Sequence, residues 1–154
     1  DGSVIVGGIT NGSYGRASEG GLDFVALKLD SNGNVEWAWQ DGTDEDDGCK
    51  AVAVGEEGSV ILAGYTCGNW TTTQVGVCDV LVVKLDLNGT VMWTWQNGTE
   101  NGDYAESAVI QEDGSVLIVL ETDGDWDGAN IGSDDFAAVK LGANGTEIWR
   151  WQVS

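Results

Sequence analysis

Short apolar runs alternate with acidic-glycine and asparagine-glycine turns along the whole chain, and no stretch shows helical spacing with caps. Val4-Ile5-Val6-Gly7-Gly8 follows Asp1-Gly2-Ser3. Val60-Ile61-Leu62-Ala63-Gly64 follows Glu57-Gly58-Ser59, and Val116-Leu117-Ile118-Val119-Leu120 follows Asp113-Gly114-Ser115, each 56 residues after the one before. An acidic residue before glycine supplies a tight turn, and the unbroken apolar run behind it reads as a strand buried on both faces. A second such strand recurs at 23–29, 79–85 and 135–141. It leads through Asn32-Gly33, Asn88-Gly89 and Asn144-Gly145, a strong hairpin signal, into a third.

That third strand carries the plainest repeat: Val35-Glu36-Trp37-Ala38-Trp39-Gln40, Val91-Met92-Trp93-Thr94-Trp95-Gln96 and Glu147-Ile148-Trp149-Arg150-Trp151-Gln152. Residues two apart on a strand share a face, so each Trp-x-Trp sets two indoles side by side. A fourth strand appears only between repeats, at Ala51-Val52-Ala53-Val54 and Ser107-Ala108-Val109-Ile110. The expectation is an all-β chain of four-stranded antiparallel units, divided as 1–48, 49–104 and 105–154, with the first unit lacking its first strand. Four-stranded units of this period mark propeller blades. The small residues of the fourth strand suit the crowded innermost place, and the paired indoles suit the widening outer wedge. Three blades fall short of the typical four to eight or so of a closed propeller, so other copies of the chain or further repeats are the expected neighbours.

The order Asp1-Gly2-Ser3-Val4-x-Val6-x-Gly8-x-Thr10, then Gly21-x-Asp23-Phe24-Val25-x-x-Lys28-Leu29-Asp30-x-x-Gly33-x-x-x-Trp37, then an acidic turn into Ala51-Val52-Ala53, resembles the SBBP-type β-propeller repeat. The resemblance covers nearly the whole chain. It implies an extracellular or cell-surface structural or adhesive protein rather than one enzyme class. The double Trp and the cysteine pair of the second loop depart from that pattern.

Composition narrows the chemistry. The 26 acidic against 6 basic residues, a formal charge of −20, disfavour nucleic acid and anionic membranes as partners. No apolar run is long enough for a membrane-inserted helix. There is no His, which removes the commonest general base and zinc ligand, so a non-catalytic role is expected. Five Asn-x-Ser/Thr triplets, at Asn11, Asn69, Asn88, Asn97 and Asn144, point to N-glycans and to secretion or the cell surface, although Asn-Gly is itself a turn signal. Cys67 and Cys78 bracket the second loop and suit a disulfide; Cys49 is left as a buried thiol or a link to another chain.

Two ligand readings remain. Asp123, Asp125, Asp127 and Asp134 offer alternate oxygens around glycines, as a calcium loop does, although Ile131 stands at the ninth position and the matching places of the other repeats hold Asn11, Ser13, Gly15 and Cys67, Asn69, Thr71. The acidic run Asp44-Glu45-Asp46-Asp47 reads as a solvated loop. Tyr14, Trp70 and Trp126, one aromatic per loop, suit a sugar-stacking platform, a subunit contact, or rings folded over their own blades. The leading expectation is a glycosylated extracellular repeat protein that assembles into a filament, sheath or coat. The alternative is a lectin-like or adhesive glycan-binding module that uses the loop aromatics and calcium.

Overall fold

The computed structural model describes residues 2–14, 16–18, 20–129 and 132–153. Asp1, Gly15 and Ile131, named in the motifs above, lie outside the described residues. Eleven strands and no helix are found among those described, in three antiparallel sheets. The first sheet runs β1 (Val4–Thr10), β2 (Asp23–Leu29), β3 (Val35–Asp41). The second runs β4 (Asp47–Val54), β5 (Val60–Thr66), β6 (Asp79–Leu85), β7 (Val91–Asn97), and the third β8 (Asp103–Ile110), β9 (Val116–Thr122), β10 (Asp135–Leu141), β11 (Glu147–Gln152). The sheets pack face to face, with β4 against β1 and β2, and β8 against β4, β5 and β6. The described residues form no closed ring.

The doubly apolar runs explain the layering. In the middle sheet Val60, Leu62, Leu81 and Val83 face the first sheet, where they meet Phe24 and Ala26. The intervening Ile61, Ala63, Val80 and Val82 face the third, against Val116, Ile118 and Leu120. Both faces of β6 are therefore buried along its whole length. Each such aliphatic side chain contributes roughly 1.5–3 kcal/mol through removal from water.

The asparagine-glycine hairpins form, but as five-residue connections rather than two-residue turns. Asp30 Oδ1 accepts the N–H groups of Asn32 and Asn34, both at 2.8 Å, and Gly33 takes the left-handed conformation at φ +84°. The ladder shifts register between Lys28 and Leu29. Asp86 builds the same turn for Asn88 and Thr90. The Cys67–Cys78 disulfide closes the loop between β5 and β6, and Cys49 is a free, half-buried thiol on β4.

Candidate functional site: the repeated inter-sheet junction

Each repeat carries, at or one residue before the end of its outer strand, a glutamine that ties the long loop to the sheet. Gln40 Nε2 donates to Asp23 Oδ2 at 2.7 Å and to the Gly12 carbonyl at 2.9 Å, while its Oε1 accepts the Tyr14 N–H. Gln96 repeats this with Asp79 at 2.9 Å, Gly68 at 3.1 Å and Trp70 N–H at 3.1 Å. Gln152 does so with Asp135 at 3.0 Å, Gly124 at 3.0 Å and Trp126 N–H at 2.7 Å. The loop glycine is set by the last residue of the preceding strand, since the hydroxyls of Thr10, Thr66 and Thr122 accept the N–H of Gly12, Gly68 and Gly124. The three Asp–Gln pairs thus fix where each loop aromatic leaves the chain. The glutamines were visible as part of the Trp-x-Trp-Gln repeat, but a polar residue at a strand end gives no hint of a buried partner.

That aromatic is aimed at the preceding sheet. Trp70 packs edge-on against Phe24, centroids 5.6 Å apart, and lies 6.5 Å from Trp39. Trp126 packs on Trp95 at 6.3 Å and is only 4% exposed. Tyr14, which has no preceding sheet, is 44% exposed. Of the three loop aromatics, two are therefore closed into junctions, because neighbouring sheets come close enough to cover them.

The outer-strand indoles complete the junction from the other side. Trp37 Nε1 donates to the Leu87 carbonyl at 3.0 Å, and Trp93 Nε1 to the Ala143 carbonyl at 2.9 Å. Each indole lies under the glycine of the next hairpin turn, so that a Cβ on Gly89 would fall 2.9 Å from the Trp37 ring and one on Gly145 2.8 Å from Trp93.

The junction also buries carboxylates. Asp47 and Asp103 open β4 and β8 fully buried; Asp47 Oδ2 and Asp103 Oδ2 accept the hydroxyls of Thr43 and Thr99 at 3.0 Å. Burial pushes the carboxyls of Asp47, Asp79 and Asp103 above the ordinary range, with Asp23 adding repulsion at Asp47 and Asp103 at Asp79. Lys28 pairs with Glu36 at 2.9 Å, and Lys84 lies over the Trp93 ring.

Of the four acids of the expected calcium loop, Asp123 has Asp134 beside it and lines one cleft together with Asp125. The neighbouring Asp134 carboxylate raises the pKa of Asp123, and it also raises that of Glu121, where loss of hydration is the larger cause. Asp123 and Asp125 line a cleft with Thr99 and Arg150, and Glu147, with a smaller contribution from Asp127, holds the Arg150 guanidinium protonated. Among the described residues no group of three or more acidic or thiol ligands converges on one point. Within the acidic run Asp44, Glu45 and Asp46 are exposed, as in a solvated loop, while Asp46 Oδ1 accepts the Leu22 N–H and Asp47 is buried at the start of β4.

Asn11, Asn69, Asn88 and Asn144 are exposed, whereas Asn97 is half-buried with its Oδ1 accepting the Gly98 N–H at 2.9 Å. Burial pushes the Cys49 thiol up to about 12. No helix among the described residues is long and apolar enough to cross a membrane.

No protein-family model matches the chain. No curated protein matches it either. Among solved structures, the chain is similar to a protein of unknown function from Bacteroides caccae, with a TM-score of 0.54 at 11% identity over 95% of this chain. The chain spans 40% of the length of that protein. At this identity the likeness concerns the fold alone, and that fold is an all-β array of repeated antiparallel sheets.

Proposed function

We propose that the chain is a non-catalytic, extracellular, glycosylated structural protein of the SBBP-type β-propeller class, whose three blade-like sheets serve assembly into a filament, sheath or coat. The observation that carries this reading is the state of the two end faces. Trp149 and Trp151 are 43% and 48% exposed, although their equivalents in the first two sheets are covered by the sheet that follows. At the other end Val4 and Val6 are 53% and 44% exposed, although Val60 and Leu62, at the same places in the second sheet, are fully buried. Contiguous apolar surface on a protein this acidic marks an interaction face, for other copies of the chain or for further repeats of a longer one. Exposed sequons on the loops and turns, a disulfide and a strongly negative surface support an oxidising, extracellular setting with a hydrated exterior.

The burial of Trp126 and the packing of Trp70 on Phe24 weigh against a row of sugar-binding rings and in favour of aromatics used between sheets. The test is electron microscopy of the native protein together with its intact mass. Fibres or sheets, and a mass above the bare polypeptide, support the reading. Discrete monomers of polypeptide mass under all conditions overturn it.

A further inference from the structure

We propose that the cleft between the hairpin-turn ends of the second and third sheets is a saccharide-binding site, in which the Lys84 ammonium and the carboxylates around it hold the hydroxyls of a neutral sugar. The site lies at an internal junction and is independent of assembly.

Lys84 carries the inference. On β6 it alternates with Val80 and Val82 and so faces the third sheet. The residue is only 6% exposed, and it lines a cleft of about 310 Å³. Its cross-strand neighbour is Trp93, whose ring centroid lies 5.9 Å from Nζ. Among the described residues no hydrogen bond or ion pair reaches the ammonium. In the first repeat Lys28 lines the equivalent cleft, but its Nζ pairs with Glu36 at 2.9 Å. Met92 takes the place of Glu36 in the second repeat and offers Lys84 no charge. A buried charge is costly unless it is paired, and one ring face cannot satisfy the three donors of an ammonium. The cleft is where an acceptor for them can sit.

The other walls narrow the ligand. Glu56 and Glu57 come from the β4–β5 turn, Glu112 from the β8–β9 turn, and Ile110 and Ala143 add apolar surface. The three glutamates are exposed and make no ion pair among the described residues. A lysine only donates hydrogen bonds and a carboxylate only accepts them, whereas a hydroxyl does both. An anion would meet three carboxylates on a chain of charge −20, and a cation would meet the buried ammonium. A neutral polyol answers both kinds of group, with its C–H face on Ile110 and Ala143. The volume is at the lower end of the roughly 300–1,000 Å³ of small-ligand sites, which suits a mono- or disaccharide. Two sources supply such a sugar: an external saccharide, or an N-glycan on the exposed Asn144, which directly follows Ala143.

The test titrates the whole 154-residue chain, made without glycosylation, with glucose, galactose, mannose and N-acetylglucosamine, read by calorimetry. At least one sugar should bind saturably in the millimolar range, with an affinity that hardly changes with salt. Lys84→Met should weaken it about tenfold or more, through loss of a charge-assisted hydrogen bond, while Lys28→Met leaves it unchanged. Thermal melts verify folding, and Glu112→Ala, at an exposed position, tests the cleft independently of the core and should weaken binding several-fold. The native protein then separates the sources. Binding by native protein marks an external sugar, and binding that appears only after Asn144→Gln marks the chain's own glycan; both support the site. No binding of any of the four sugars by the bare chain overturns it. So does an affinity that Lys84→Met and Glu112→Ala leave unchanged, or a preference for acetate or glycine over every sugar, which would make this an anion or zwitterion site.

Discussion

The indole N–H of Trp37 donates to the carbonyl of Leu87, 3.0 Å away in the next sheet, and so places its ring beneath Gly89. This relationship joins sequence to architecture. A tryptophan on the outer strand reaches the following hairpin only because the turn there carries a glycine at φ +80° with no side chain in the way.

Comparing two glycines isolates the value of that contact. Gly33 and Gly89 share nearly the same backbone conformation, but only Gly89 lies over an indole. Gly33→Ala should cost about 1–2 kcal/mol, the left-handed penalty of a Cβ. Gly89→Ala should cost more, by about 1–3 kcal/mol of overpacking against Trp37. Denaturant unfolding of the two variants reads the difference. Equal losses would mean that the indole–glycine contact contributes nothing.

The Asp79–Gln96 pair should be the costliest polar feature to disturb. Gln96→Ala takes the side-chain donor from the Asp79 carboxylate, leaving it the Val75 N–H, and strands the N–H groups of Trp70 and Thr71; it should destabilise the chain by about 2–4 kcal/mol. The loop is also held by the Cys67–Cys78 bond, whose removal by Cys67→Ser with Cys78→Ser should cost about 3 kcal/mol on the chain-entropy account of a short loop. Equilibrium unfolding of the single, double and combined variants gives both values. Their sum should exceed the combined loss, because both act on one loop.

Much of this fold was legible in the sequence, and the reasons are physical. Apolar runs at a fixed spacing marked the strands because a strand buried on both faces must be apolar throughout, and Cys67 with Cys78 bracketed one loop visibly. The fates of Tyr14, Trp70 and Trp126 were not legible, since the three rings have equivalent places and differ in burial by whether a sheet precedes them. The Asp–Gln pairs were hidden because their partners lie 17 residues apart, brought together only by the hairpin. The neighbours of the acids at 123–134 were hidden for a related reason: their linear spacing says nothing about Arg150, which pairs with Glu147 and lines the cleft that holds Asp123 and Asp125.

Stability should rise on mild acidification. Burial raises the folded-state pKa of Asp47, Asp79 and Asp103 above the ordinary 3.8. Such groups bind protons more tightly when folded, so their contribution is full below 3.8 and is lost as pH rises through the folded values. Asp30, Asp86 and Asp113 act oppositely: turn hydrogen bonds hold them below 3.8, and their contribution is lost as pH falls through those lower values. Denaturation midpoints should therefore climb as pH is lowered from about 7 toward 3.8 and fall again in stronger acid. A midpoint that falls steadily from neutral pH downward would contradict the assignment.

Cys49 should stay unmodified in the native protein. Its thiol is half-buried and pushed up to about 12, so thiolate is scarce at neutral pH. A disulfide-exchange reagent should label no thiol rapidly in the folded chain and one after unfolding without reductant. Rapid native labelling would place Cys49 at an open edge instead.

The most direct measurement of the central claim is sedimentation velocity of the isolated 154-residue chain across protein concentration at low and high salt. The account predicts species that grow with concentration, and more strongly at high salt, as copies of a −20 chain are screened and stack. A single monomeric boundary at every concentration and ionic strength would contradict it.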